Sequence, residues 1–144
     1  MKKIISLPQK TKFKKQQKGH LTSVERKKSA TALYYGIFGL KVLQQSRLTR
    51  KQLEATRKQI SRNLRKQEKL WIRTLPDIPV TNKPKEIRMG KGKGAVESWI
   101  IRVKAGQTLF ELSTMGLKKA KIILLAAAKK LAVPCAFISQ IKKI

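Results

Sequence analysis

The residues Arg88-Met89-Gly90-Lys91-Gly92-Lys93-Gly94 carry the densest chemistry in this chain. Glycines alternate with lysines, an arginine leads in, and no acid interrupts the run. Glycine allows a backbone to approach a ligand closely and to adopt positive φ. Lysine and arginine bring charge and hydrogen-bond donors suited to phosphate. The combination describes a loop made to lie against a crowded polyanion. Gly90-x-Gly92-x-x-Ala95 also fits a relaxed dinucleotide fingerprint, but that fingerprint needs a helix directly after it. Residues 96–103 are rich in β-branched and aromatic side chains and predict a strand, which excludes the dinucleotide reading. No Gly-Lys-Ser or Gly-Lys-Thr follows a phosphate loop, so a nucleotide-hydrolase reading fails as well.

Other chemistry is sparse. The seven acids are scattered, and Ser98 and Ser113 have no evident base partner. His20, the single histidine, lies in a basic N-terminal stretch without thiols or a second imidazole nearby, so a zinc site is not expected. Cys135 is the only cysteine, which rules out an internal disulfide and suggests a small buried hydrophobe. No enzyme, cofactor or metal site is expected on these grounds.

The elements that must position the loop sit in an unusually basic chain. Among 144 residues there are 35 Lys+Arg against 7 Asp+Glu, a formal charge of +28. Such a surplus repels itself in a compact fold, and a polyanionic partner relieves the repulsion. The charge runs along the whole chain, whereas membrane-surface proteins concentrate it in one helix or cluster, so nucleic acid is the favoured partner. Hydrophobic residues make up 41%, enough for a real core. The longest apolar run, residues 122–128, falls far short of the roughly 18 residues of a membrane span. The short apolar start followed at once by lysines does not fit a signal peptide.

Residues 1–30 are polar, with the charge runs Lys10-Thr11-Lys12-Phe13-Lys14-Lys15 and Arg26-Lys27-Lys28. They read as a basic extension that orders on a polyanion. Phe13, alone among lysines, is placed to stack on or wedge into RNA. Residues 31–144 read as one domain whose basic loop covers 82–95. Residues 32–40 predict strand structure. Thr49 and Gln52 have capping-box spacing, and Leu48 and Leu53 have the spacing of a hydrophobic staple. In the helix they open, Leu53, Ile60 and Leu64 share one face, while Lys51, Lys58, Arg62, Arg65 and Lys66 project opposite. Residues 70–75 predict a strand stopped by Pro76-Asp77-Ile78-Pro79, and residues 85–88 a weaker strand. Further strands are expected at 96–103, 108–112 and 135–139, with a second helix over 117–132 that sets Leu117, Ala120, Leu124, Ala127 and Leu131 on one face. The remaining aromatics fit core packing within these strands. Strands and helices do not alternate regularly, which predicts an α+β fold with an antiparallel or mixed sheet carrying two helices.

Taken in order, several motifs resemble the L-sixteen family of bacterial-type large-subunit ribosomal proteins. They are Pro8-Gln9-Lys10-Thr11-Lys12-Phe13-Lys14-Lys15, Phe38-Gly39-Leu40-Lys41, Arg47-Leu48-Thr49-Arg50-Lys51-Gln52-Leu53-Glu54-Ala55, Trp71-Ile72-Arg73, Pro76-Asp77-Ile78-Pro79-Val80-Thr81, Lys83-Pro84 and the loop from Arg88 to Gly94. The likeness covers nearly the whole chain. It departs at residues 19–32 and at Ser113-Thr114-Met115-Gly116, where the family carries an acidic turn. The resemblance implies a hammerhead-type α+β fold and a structural role in the large ribosomal subunit. It implies large-subunit rRNA, tRNA, neighbouring ribosomal proteins and, as in bacterial relatives, 5S rRNA as partners. The expected rRNA contacts are Lys10, Lys12, Phe13, Lys14, Lys15, Lys18, Arg47, Arg50, Lys51, Lys58, Arg62, Arg65 and Lys66. Arg88, Met89, Gly90, Lys91, Gly92, Lys93 and Gly94 are expected to face tRNA near the aminoacyl-tRNA site and the peptidyl-transferase region. Lysine and isoleucine richness without a presequence fits an organelle-encoded chain, with the mitochondrial ribosome as the expected location and bacterial cytoplasm or plastid as alternatives. An architectural DNA-binding protein is the competing function, and an RNA-modifying enzyme the third.

Overall fold

The computed structural model describes Pro8 and residues 11–20, 31–113 and 116–140. Its elements run β1 (Phe38–Val42), β2 (Ser46–Thr49), α1 (Arg50–Asn63), β3 (Lys69–Ile72), β4 (Ile78–Asn82), β5 (Ala95–Val103), β6 (Thr108–Ser113), α2 (Leu117–Ala128) and β7 (Cys135–Ser139). Among the described residues, two helices with antiparallel strands make the α+β class that the pattern predicts. The strands divide between two sheets: one of order β3-β6-β1-β7, the other of order β2-β5-β4.

Helix α1 starts where its caps demand. Thr49 is extended (φ −82°, ψ 155°), and its Oγ1 accepts the Gln52 N–H at 3.3 Å. In return, the Thr49 N–H donates to Gln52 Oε1 at 2.9 Å, which completes the capping box. Leu48 and Leu53, flanking the cap, are both fully buried. Leu53 and Ile60 seat α1 on a core shared with Phe38, Leu40 and Val42 of β1, Phe110 and Leu112 of β6, and Ala120, Ile123, Leu124 and Ala127 of α2. The alternation in β1 and β6 explains this partition. Phe38 opposes Leu112 and Leu40 opposes Phe110, so these four point to the core, while Gly39 and Glu111, also opposed, point to the other face.

Several expected elements are corrected. Residues 32–37 are not a strand: the N–H groups of Tyr34, Tyr35 and Gly36 all donate to the Glu111 carboxylate, at 3.1, 2.7 and 2.9 Å, and so are withdrawn from any ladder. The strand begins only at Phe38. Strand β3 ends at Ile72, short of Leu75. Pro79 does not stop a strand but lies inside β4, opposite Trp99; β4 is an edge strand, where a missing donor on the outer side costs nothing. Residues 85–88 form a turn, with the Ile87 N–H donating to the Pro84 carbonyl at 3.2 Å. Helix α2 closes at Ala128, because the Lys130 and Leu131 N–H groups reach carbonyls three residues back and Pro134 follows. Leu117 is exposed, so the buried face of α2 starts at Ala120.

Candidate nucleic-acid interface

Strands β4 and β5 converge on the glycine–lysine loop and hold its base. Asn82 pairs with Ala95, and Gly94 packs so closely on the Asn82 carbonyl that a Cβ there would collide with it. Between these anchors, Gly90, Lys91 and Gly92 all take positive φ (101°, 51° and 85°). For Lys91 this conformation costs about 1 kcal/mol. The Lys83 ammonium bonds the Gly90 carbonyl and holds the strained turn closed from within. The outer surface is open: among the described residues, no heavy atom beyond the adjoining residues lies within 4 Å of a Cβ built on Gly90 or Gly92. Arg88, Lys91 and Lys93 are exposed, and Met89, at 94% exposure, stands at the tip.

The basic N-terminal segment lies alongside. Lys15 Nζ donates to the Lys93 carbonyl at 2.7 Å, and Lys93 Nζ donates to the Gln16 carbonyl at 2.7 Å. Each lysine thereby binds a backbone carbonyl of the other's segment, and two cationic segments are held side by side by dipoles instead of by acids. Further along, the Arg47 guanidinium bonds the Gly19 carbonyl. Arg47 stands directly opposite Arg102 in the β2–β5 pair, and its buried Nε has no hydrogen-bond partner among the described residues. Like charges facing across a strand pair are destabilising. A phosphate on these guanidiniums would relieve that repulsion.

The expected cations divide clearly. Lys12, Phe13, Lys14, Lys15 and Lys18 are all exposed, with Lys12 Nζ 5.4 Å from the Phe13 ring centre. Lys51, Lys58 and Arg62 project from the outer face of α1, and Arg65 and Lys66 from the turn after it; Arg50 and Arg47 are half-buried. Lys10 lies outside the described residues. The arm and the loop are in contact, whereas no hydrogen bond links either to the cations of α1 among those described.

Sequence reasoning missed a buried ion pair on the back of the larger sheet. Glu111, wholly buried, accepts the three backbone N–H groups named above and bonds the Arg73 guanidinium. Burial pushes the Glu111 carboxyl pKa up, but those donors outweigh it and leave it below the ordinary value. Arg73 in turn lies 5.0 Å from the Tyr34 ring centre and 5.6 Å from that of Tyr35, and Tyr35 stacks on Trp71 with centroids 6.3 Å apart. Tyr34 and Tyr35 are 58% and 62% exposed, so the expectation that they pack in the core is corrected. The one available signal was an acid set in the apolar run Thr108-Leu109-Phe110-Glu111-Leu112, since a charge at such a position needs a partner.

Burial also pushes the Cys135 thiol up to about 11, so it stays protonated and unreactive at neutral pH. Among the described residues, no group of His, Cys, Asp and Glu is arranged to hold a metal ion, and no helix is long and apolar enough to cross a membrane.

Exposed cations on an arm, a glycine loop and a helix face, all on an α+β scaffold, define a strongly basic protein. The chain belongs to a ribosomal protein family, Ribosomal protein L16p/L10e, which matches residues 8–138. It is 45% identical over 134 residues to the large ribosomal subunit protein uL16 of Azorhizobium caulinodans, covering 93% of this chain and 96% of that protein. It is 46% identical over 134 residues to the protein of the same name in Chelativorans sp. strain BNC1, with the same coverage. The uL16 of Rhodospirillum rubrum is 43% identical over 137 residues, covering 95% of this chain and 98% of that protein. These relatives are named as ribosomal components and not as enzymes.

Proposed function

We propose that this protein is a structural component of a large ribosomal subunit, where it binds large-subunit rRNA and helps to position tRNA near the aminoacyl-tRNA site and the peptidyl-transferase region. The observation that carries the reading is the joining of arm and loop through Lys15 and Lys93 beside the open Gly90–Gly92 turn, in a chain of the L16p/L10e family. Lys10, Lys12, Phe13, Lys14, Lys15 and Lys18 grip rRNA from the extension of residues 1–30. Arg47, Arg50, Lys51, Lys58, Arg62, Arg65 and Lys66 grip it from the domain of residues 31–144. Arg88, Met89, Gly90, Lys91, Gly92, Lys93 and Gly94 face tRNA. Neighbouring ribosomal proteins and 5S rRNA complete the surroundings. The protein's part there is to fix geometry and neutralise phosphate. Lysine and isoleucine richness favours a mitochondrial ribosome as its location.

Competition between large-subunit rRNA and duplex DNA for the full chain at matched salt tests the function. The rRNA is expected to win, and neutralising roughly 6–10 phosphates should weaken binding by about 10³–10⁵ between 50 and 200 mM salt. Tighter binding of duplex DNA, or binding indifferent to salt, refutes the proposal.

A further inference from the structure

Strand β3 is one edge of the larger sheet, and a groove of about 900 Å³ runs between it and the end of α1. That volume suits one small organic molecule, for which sites run from about 300 to 1,000 Å³. One wall is aromatic: Tyr35 and Trp71, already stacked on each other, both line it. The rim is cationic, with Arg65 and Lys66 exposed. The other two charged lining residues have internal duties. Glu68 accepts from Lys119 Nζ at 2.7 and 3.0 Å and from the Arg65 N–H at 2.8 Å. Arg57, 5% exposed, is forked onto Glu54 at 2.9 and 2.6 Å. The groove therefore offers a π-face for a flat ring and positive charge for an anion at its lip.

An apolar peptide would not need the two rim cations, and a duplex presents no base face to a side chain. An unpaired nucleotide has both a flat base and a phosphate. We propose that this groove receives one unpaired nucleotide of rRNA, its base extending the Tyr35–Trp71 stack and its phosphate meeting Arg65 and Lys66. The inference rests on the RNA-binding reading above and adds to it a single-nucleotide site away from the arm and the loop. The Glu111–Arg73 pair is the support beneath it. Glu111 holds the Tyr35 N–H, and Arg73 lies against the Tyr35 ring, so the exposed tyrosine is fixed in place before the base arrives.

The test uses the full chain and two RNA hairpins that differ only in one bulged 2-aminopurine. The bulged hairpin should bind about tenfold tighter than the paired one, since one base stacked on an aromatic ring is worth roughly that factor. Its fluorescence should be quenched on binding. Tyr35→Leu, at an exposed position, should abolish both the preference and the quenching while paired-hairpin affinity stays within about twofold. Trp71→Phe, which keeps an aromatic face, should retain both. If the protein binds the two hairpins equally, or if Tyr35→Leu still quenches, the site is refuted while RNA binding stands. Failure to bind either hairpin or rRNA refutes the broader function and the site with it. A photo-reactive group at position 35 that couples to a protein instead of RNA in the assembled particle also overturns the proposal.

Discussion

Replacing Glu111 by glutamine tests the support that the structure places behind the larger sheet. The carboxylate is fully buried and accepts from Tyr34, Tyr35, Gly36 and Arg73. An amide of similar volume keeps one acceptor oxygen, turns an N–H₂ toward donors and leaves the Arg73 guanidinium without its counter-charge. Removing one member of a buried pair costs about 3–5 kcal/mol. Arg73 retains 17% side-chain exposure, and water can reach it, which places the cost at the lower end, about 3 kcal/mol. Against a total stability of roughly 5–15 kcal/mol this is a large fraction, and it should lower Tm by about 10 °C. Glu97→Gln is the control: it makes the same change in net charge at an exposed site and should stay within about 0.5 kcal/mol. Urea unfolding of the three proteins measures the difference.

The pH dependence gives a second readout of the same residue. The folded carboxyl pKa lies below its ordinary value of 4.5, so its stabilisation is fully present above about pH 5. It is lost as the pH falls below 4.5 through the folded value. The wild-type protein should therefore lose stability in that window, and Glu111→Gln should lose less. A Glu111→Gln protein as stable as Glu97→Gln, with the same acid response as the wild type, would refute the reasoning.

Three further perturbations follow from the geometry. Lys91→Glu with Lys93→Glu should change Tm of the isolated protein little, because surface charges contribute about 0–1 kcal/mol, while impairing tRNA placement or late subunit assembly; a matching stability loss with normal translation would contradict this. Thr49→Ala removes the side-chain half of the capping box and should cost about 1 kcal/mol in urea unfolding, whereas Thr49→Ser should be nearly neutral. Cys135, with its thiol pushed up to about 11, should react with a thiol-directed reagent at pH 7 far more slowly than a free cysteine, and equal rates would show the site to be open.

Short-range signals are legible in this sequence and long-range ones are not. The capping box and staple around Thr49 are short-range patterns, and α1 begins where they place it. The strands over Ala95–Val103 and Thr108–Ser113 follow from β-branched and aromatic runs. The glycine–lysine loop announced itself by composition, though the Lys83 brace and the positive φ at Lys91 needed coordinates. By contrast, Tyr34, Tyr35 and Gly36 look like strand residues because aromatic residues favour strands; what removes them is a carboxylate 75 to 77 positions away. Strand β2 went unread because its four residues also spell the helix cap, and the facing of Arg47 and Arg102 is a matter of register alone. The bonds that Lys15 and Lys93 send across to Lys93 and Gln16 end on carbonyl groups, which carry no residue-type signal at all.

The most direct measurement is the position of this chain in a sucrose gradient of ribosomes from its source compartment. The account predicts that it sediments with the large subunit at low salt and is stripped progressively as salt rises. A chain that remains wholly in the soluble fractions, with none on the large subunit, would contradict it.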